Sequence, residues 1–125
     1  MNGSNGLIIR GDYMSEIVIA AYKPKVGKEK ELEELIKKHV PTLRELGLIT
    51  NRPALTIKSK DGTYIEIMEW VDVEASEKAH EHPAVAKIWE AMEVISQFRK
   101  LSDLEEAKTS FSHYAVVNSL SDCFE

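Results

Sequence analysis

Cysteine is almost absent. Cys123 is the only one in 125 residues, and it is third from the end. No disulfide can close within the chain, and a reducing cytoplasm is the expected setting. Long apolar runs are absent too. Nothing approaches the ~20 residues a membrane-spanning helix needs, and Leu7-Ile8-Ile9 is too short for the apolar region of a secretory signal. No membrane partner is expected. Positive charge is also short, with 16 Lys and Arg against 21 Asp and Glu, a net charge of −5. Binding a phosphate backbone needs clustered cations, so no nucleic-acid partner is expected. The lysines between Lys23 and Lys30 are interrupted by Glu29 and read as a solvated loop and helix start. There is no G-x-S-x-G nucleophile motif and no Gly-rich phosphate loop. His80 and His82 are two apart and diverge on a helix, so the i, i+4 pair of a helical zinc site is missing. They read as surface or pocket-rim residues. No metal site and no cofactor is expected.

What the chain does contain is organised around Asp61 to Met92. Asp61-Gly62 is a turn signal. From Thr63 to Val71 the residues alternate. Ile65, Ile67, Glu69 and Val71 fall on one face of a strand, and Tyr64, Glu66, Met68 and Trp70 on the other. The second face, with a carboxylate among aromatic and sulfur groups, reads equally as a pocket wall or as a half-buried sheet face with one solvated Glu. Asp72 is placed to cap a following helix. His82-Pro83 should break that helix, because a residue before proline disfavours the α conformation. Beyond the break, Val85, Ile88, Trp89, Met92 and Ile95 form an apolar stripe.

The flanking elements complete a simple order. Residues 1–14 read as a mobile extension, rich in Gly, Asn and Ser. Glu16 to Tyr22 is a strand apolar on both faces. Lys28 to Leu46 carries Leu32, Leu35, Ile36, His39, Val40, Leu43 and Leu46 at helical spacing, stopped by Gly47 and kinked at Pro41. His39 on that stripe reads either as a core histidine with one hydrogen-bond partner or as a ligand contact. Ala54 to Ser59 forms a hairpin with the central strand. Ser102-Asp103-Leu104-Glu105 is a capping box for one helical turn. Ser110 to Asn118 is expected to be the fourth strand, and Ser119 onward a frayed tail. The domain therefore spans 15–118, with 119–125 as tail. The order β-α-β-β-α-β is the ferredoxin-like, split βαβ pattern of an α+β fold. It predicts a four-stranded antiparallel sheet with two helices on one face. The isoleucines Ile17, Ile19, Ile65 and Ile67 then need cover from outside the subunit, since a wet apolar face costs on the order of 25 cal/mol per Å². A homodimer joined sheet to sheet follows.

Val26-Gly27 before a charged amphipathic helix, the strand end Glu69-Trp70, and Ala79-His80 followed by His82-Pro83-Ala84-Val85 carry a resemblance. Over roughly Glu16 to Val117 the chain resembles the dimeric α+β barrel superfamily, and within it the antibiotic-biosynthesis-monooxygenase-like group. The resemblance implies that the aliphatic strand faces pack between two subunits, while the mixed faces meet the subunit's own helices and leave a ligand pocket. Tyr22, Glu66, Met68 and Trp70 would line it from the sheet, His39, His80 and Trp89 from the helices, and His113 from the last strand. Haem-degrading relatives place an asparagine, a tryptophan and a histidine where this chain has Val18 or Ala20, Ala79 or His80, and Trp89. Those departures argue against haem chemistry. The expected activity is that of a cofactor-independent monooxygenase or isomerase acting on an apolar or aromatic metabolite, with Glu66 or His113 as the base. Two readings compete with it. Glu66 could pair with Lys58 across the hairpin, and the whole protein could be a non-catalytic dimeric ligand-binding or structural module.

Overall fold

The computed structural model describes residues 15–122. The expected N-terminal extension, 1–14, and the last three residues lie outside the described residues. Strand β1 (Glu16–Pro24) leads through a turn at Gly27 into helix α1 (Glu29–Glu45). The helix runs unbroken through Pro41 and ends at Gly47, whose positive φ of 72° only glycine adopts without penalty. Strands β2 (Leu55–Lys58) and β3 (Tyr64–Trp70) form the expected hairpin. Asp61 Oδ1 accepts from the Thr63 amide in its turn, and Gly62 there has φ 94°.

Helices α2 (Ala75–Glu81) and α3 (Pro83–Ile95) meet at His82, which is extended (φ −90°, ψ 121°), as the residue before proline must be. The His82 ring also accepts a hydrogen bond from the Ala84 amide. Asp72, expected to cap α2, stands two residues short of it: the N-cap is Glu74, with no side-chain cap, and Asp72 Oδ1 accepts from the Glu74 amide at 3.0 Å in the preceding turn.

The sheet corrects two expectations. It has five strands, the last two being β4 (Ser96–Arg99) and β5 (Ala115–Val116), in the order β4-β1-β3-β2-β5, with every neighbouring pair antiparallel. The fourth strand is β4, Ser96–Arg99, directly after α3, and not Ser110–Asn118. It completes the ferredoxin-like order by pairing with Ala21 to Pro24 of β1. No Gly or Pro marks the change from helix to strand. Ser96 makes it alone, in an extended conformation, with its hydroxyl donating back to the Met92 carbonyl. The stretch expected as the fourth strand supplies only β5, Ala115–Val116, at the far edge beside β2. Between them, residues 101–108 form two 3-10 turns, the first with Asp103 accepting from the Lys100 amide.

The tail expected to fray is held as far as Asp122. Leu120 is buried in the core cluster that also holds Leu32, Ile36 and Tyr64. Asp122 Oδ2 accepts from the Ala54 amide at 2.7 Å and from Arg44 at 2.9 Å.

Strand alternation decides what each face meets. Tyr64, Glu66, Met68 and Trp70 of β3 face α1 and α3, with Val18, Ala20 and Tyr22 of β1 on the same side. Ile65 and Ala21 face the other way, where Leu104 and Tyr114 from the segment after β4 cover them. That segment shelters only part of the outer face. Ile17 and Ile19 stay 54% and 45% exposed.

Candidate functional site

A cavity of about 490 Å³ opens between the sheet and the helices, a size in the range of small-molecule sites. Its floor is β1 and β3, because small side chains alternate there with large ones. Val18 and Ala20 leave room beside Met68 and Trp70. Helix α1 contributes His39, α2 contributes Ser76 and His80 one turn apart, and α3 contributes Trp89. Phe98 of β4 closes one side, its ring edge-on to Tyr22 at 5.4 Å.

Behind one wall runs a connected set of polar groups. Glu66 is 1% exposed and His39 2%. Tyr22 donates its hydroxyl to Glu66 Oε1 at 2.7 Å. His39 Nδ1 lies 2.9 Å from the same oxygen. On its other side, the Trp89 indole N–H donates to His39 Nε2 at 2.8 Å. An indole N–H can only donate, so Nε2 is the accepting nitrogen and the proton of the neutral imidazole sits on Nδ1, aimed at Glu66. Glu66 Oε2 is buried and has no hydrogen-bond partner among the described residues. A buried acceptor left unpaired is worth about 1–3 kcal/mol of lost solvation, and such a group calls for a cause, a catalytic role among them. Burial foremost, then the Glu66 charge and its hydrogen bond, pushes the Tyr22 phenol well above its ordinary value. Tyr64, at the buried end of the same strand face, is also raised, by burial and by its hydroxyl contact with Glu33.

The sequence reading named eight candidates, and the structure gathers six of them on one wall or another of this cavity: Tyr22, His39, Met68, Trp70, His80 and Trp89. Glu66 is not on the cavity surface. It lies behind Tyr22 and His39, and it does not pair with Lys58, which instead stands over the Tyr64 ring at 4.9 Å. His113 is a correction. It is exposed just before β5, beside Lys58 and Lys60 and away from the cavity, because the short strand that follows it lies at the edge of the sheet opposite β4. Ser76 and Phe98 were missed. The i, i+4 spacing of Ser76 and His80 could have found the first. The second needed β4. Among the described residues no three His, Cys, Asp or Glu side chains gather as metal ligands, and no helix is long and apolar enough to cross a membrane.

No family model matches the sequence, and no curated protein matches it. A solved structure does match. The chain shares its fold with SnoaB. SnoaB is described as a cofactor-independent oxygenase from Streptomyces nogalater. The TM-score is 0.60, and the match covers 69% of this chain and 87% of SnoaB. At 15% identity it is a likeness of fold, and it is the fold that the resemblance to the antibiotic-biosynthesis-monooxygenase-like group implies.

Proposed function

We propose that the chain is a small-molecule enzyme that removes a proton from an apolar or aromatic substrate held between sheet and helices. The observation that carries this reading is the His39–Glu66 pair at the cavity wall. Glu66 accepts the hydrogen bond from Nδ1, which leaves Nε2 as the basic atom of the ring, held in this structure by the Trp89 indole N–H. That is the arrangement of an imidazole base oriented by a carboxylate. His39 then takes the role first given to Glu66, and Glu66 positions the ring and balances the imidazolium that forms.

The SnoaB likeness supports oxygenation as the reaction. His39 Nε2 takes a proton from an activated CH₂ group. The carbanion's electron pair goes to dioxygen, forming a C–O bond. The imidazolium returns its proton to the peroxide, and the hydroperoxide loses water to leave a carbonyl. The balance is CH₂ plus O₂ giving C=O plus H₂O. We further propose that the protein works as a homodimer, with the exposed Ile17 and Ile19 covered by a second copy.

The test is oxygen uptake with quinol and anthrone-type probes. Uptake by the wild type, falling by about 10²–10⁴-fold in His39→Gln, is the expected result for loss of a general base. Uptake that survives His39→Gln removes His39 from the chemistry. One observation favours the non-catalytic module. Both ring nitrogens of His39 and one oxygen of Glu66 already have partners inside the chain. Tight binding of a probe with no oxygen uptake and no chemical change would establish that reading.

A further inference from the structure

We infer that Trp89 is a removable cap on His39, and that the site takes uncharged ligands which replace the indole with a hydroxyl or N–H donor of their own. This rests on the cavity being a ligand site, but not on which reaction follows. In the structure the indole N–H occupies the lone pair of His39 Nε2, the atom that would accept a ligand's proton. Indole nitrogen is a donor without basicity. The string Tyr22–Glu66–His39–Trp89 therefore ends in a stop, and the base is inert while the cap is on.

Of the two partners, His39 is the fixed one. It is 2% exposed and tied to Glu66 at 2.9 Å. Trp89 is only half-buried and borders the open cavity. Its ring stands edge-to-face between two imidazoles, His39 with centroids 6.2 Å away and His80 at 4.7 Å. His80 is exposed on α2, a helix separated from α3 by the extended His82. A turn of the indole toward His80 frees Nε2 without moving α3, and keeps an aromatic contact worth about 0.5–1.5 kcal/mol.

Ligand chemistry follows from what the cavity offers once the cap turns. Tyr22 keeps its proton and donates the hydrogen bond to Glu66, so its oxygen has lone pairs left to accept, and Nε2 has another. Both ask for a donor. The lining holds no lysine. Arg99 borders it, but its guanidinium is drawn to Asp61 and Asp103, at 3.9 and 3.6 Å. A carboxylate ligand would meet lone pairs and the Glu66 charge, and the one Arg or Lys in the lining, Arg99, is already shared between two aspartates, which is unfavourable in a desolvated site.

The experiment compares three probes of one shape, 2-naphthol, naphthalene and 2-naphthoate, on the wild type and Trp89→Phe. Binding is followed by the Trp89 indole N–H and His39 ring nitrogen resonances. Phenylalanine keeps an aromatic wall and removes the donor. We expect the His39 Nε2 resonance to move in unliganded Trp89→Phe, and naphthol to displace the indole resonance in the wild type. The preference for naphthol over naphthalene should rise about threefold to tenfold in Trp89→Phe, the worth of one hydrogen bond no longer displaced. Naphthoate should bind at least about tenfold more weakly than naphthol, because its charge goes unpaired. An Nε2 resonance unchanged by Trp89→Phe overturns the cap. So does naphthol that fails to bind at millimolar concentration, or that binds without moving the indole. Naphthoate binding as well as naphthol overturns the ligand class. None of these readouts depends on oxygen uptake, so a protein that fails as an oxygenase can still pass them.

Discussion

Tyr22 carries a consequence that can be measured without any substrate. Burial and the Glu66 carboxylate hold its phenol protonated well above the ordinary range, whereas an unfolded tyrosine gives up its proton near pH 10. Above that pH the folded chain binds more protons than the unfolded one, so this part of the stability is complete below about pH 10 and is lost as pH rises further. One such group contributes a slope of about 1.4 kcal/mol per pH unit. Urea midpoints measured from pH 9 to 11 should fall less steeply in Tyr22→Phe than in the wild type. Equal slopes would mean the phenol is not held as described. Tyr64 acts in the same sense and should keep some slope in the variant. The sequence marked Glu66 as unusual, because a carboxylate alternated with Tyr64, Met68 and Trp70 on one strand face. It did not show the partners. Tyr22 is 44 residues from Glu66 and His39 is 27, and periodicity within a strand says nothing about which distant side chain reaches across. Lys58, the nearby partner that hairpin logic offered, sits two rungs off and takes the Tyr64 ring instead.

Elements with strong local signals were legible from the sequence alone. The stripe of α1, the Asp61-Gly62 hairpin and the break before Pro83 each rest on chemistry within a few residues. β4 was not legible. Ser96–Arg99 has no alternation long enough to read, and it is extended because β1 offers unpaired backbone beside Ala21 to Pro24. That is a tertiary cause, and tertiary context overrides weak local preference. The tail is the same lesson at the other edge. Its few residues look like a loose end, yet Leu120 is buried in the core cluster that also holds Leu32, Ile36 and Tyr64, and Asp122 ties the chain to Arg44 and the Ala54 amide. Leu120→Ala should therefore cost about 2–4 kcal/mol. It should also speed amide exchange at Thr56 and Ala54, whose amides are held by Ser121 and Asp122. A melting temperature unchanged in Leu120→Ala would show that the tail adds nothing to the core.

For the molecule as a whole, the outer face of the sheet is the surface that calls for a cover. Leu104 and Tyr114 shelter Ala21 and Ile65, so the isoleucine set is divided between the chain's own strap and solvent. The uncovered part centres on Ile17 and Ile19, in the half of β1 that β4 does not pair. If a second copy sits there, the wild type should sediment as a dimer at micromolar concentration. Ile19→Glu, which would bury a charge against an apolar partner, should sediment as a monomer with its fold intact by circular dichroism. A wild type that sediments as a single chain would remove the dimer. One sheet separates the Ile17–Ile19 surface from the chamber holding His39 and Trp89. Two copies joined through that surface would carry their chambers on opposite outsides of the pair, each with its own mouth. Filling one would then send no signal to the other, and titration with a small molecule should trace a plain hyperbola with a Hill coefficient of about one.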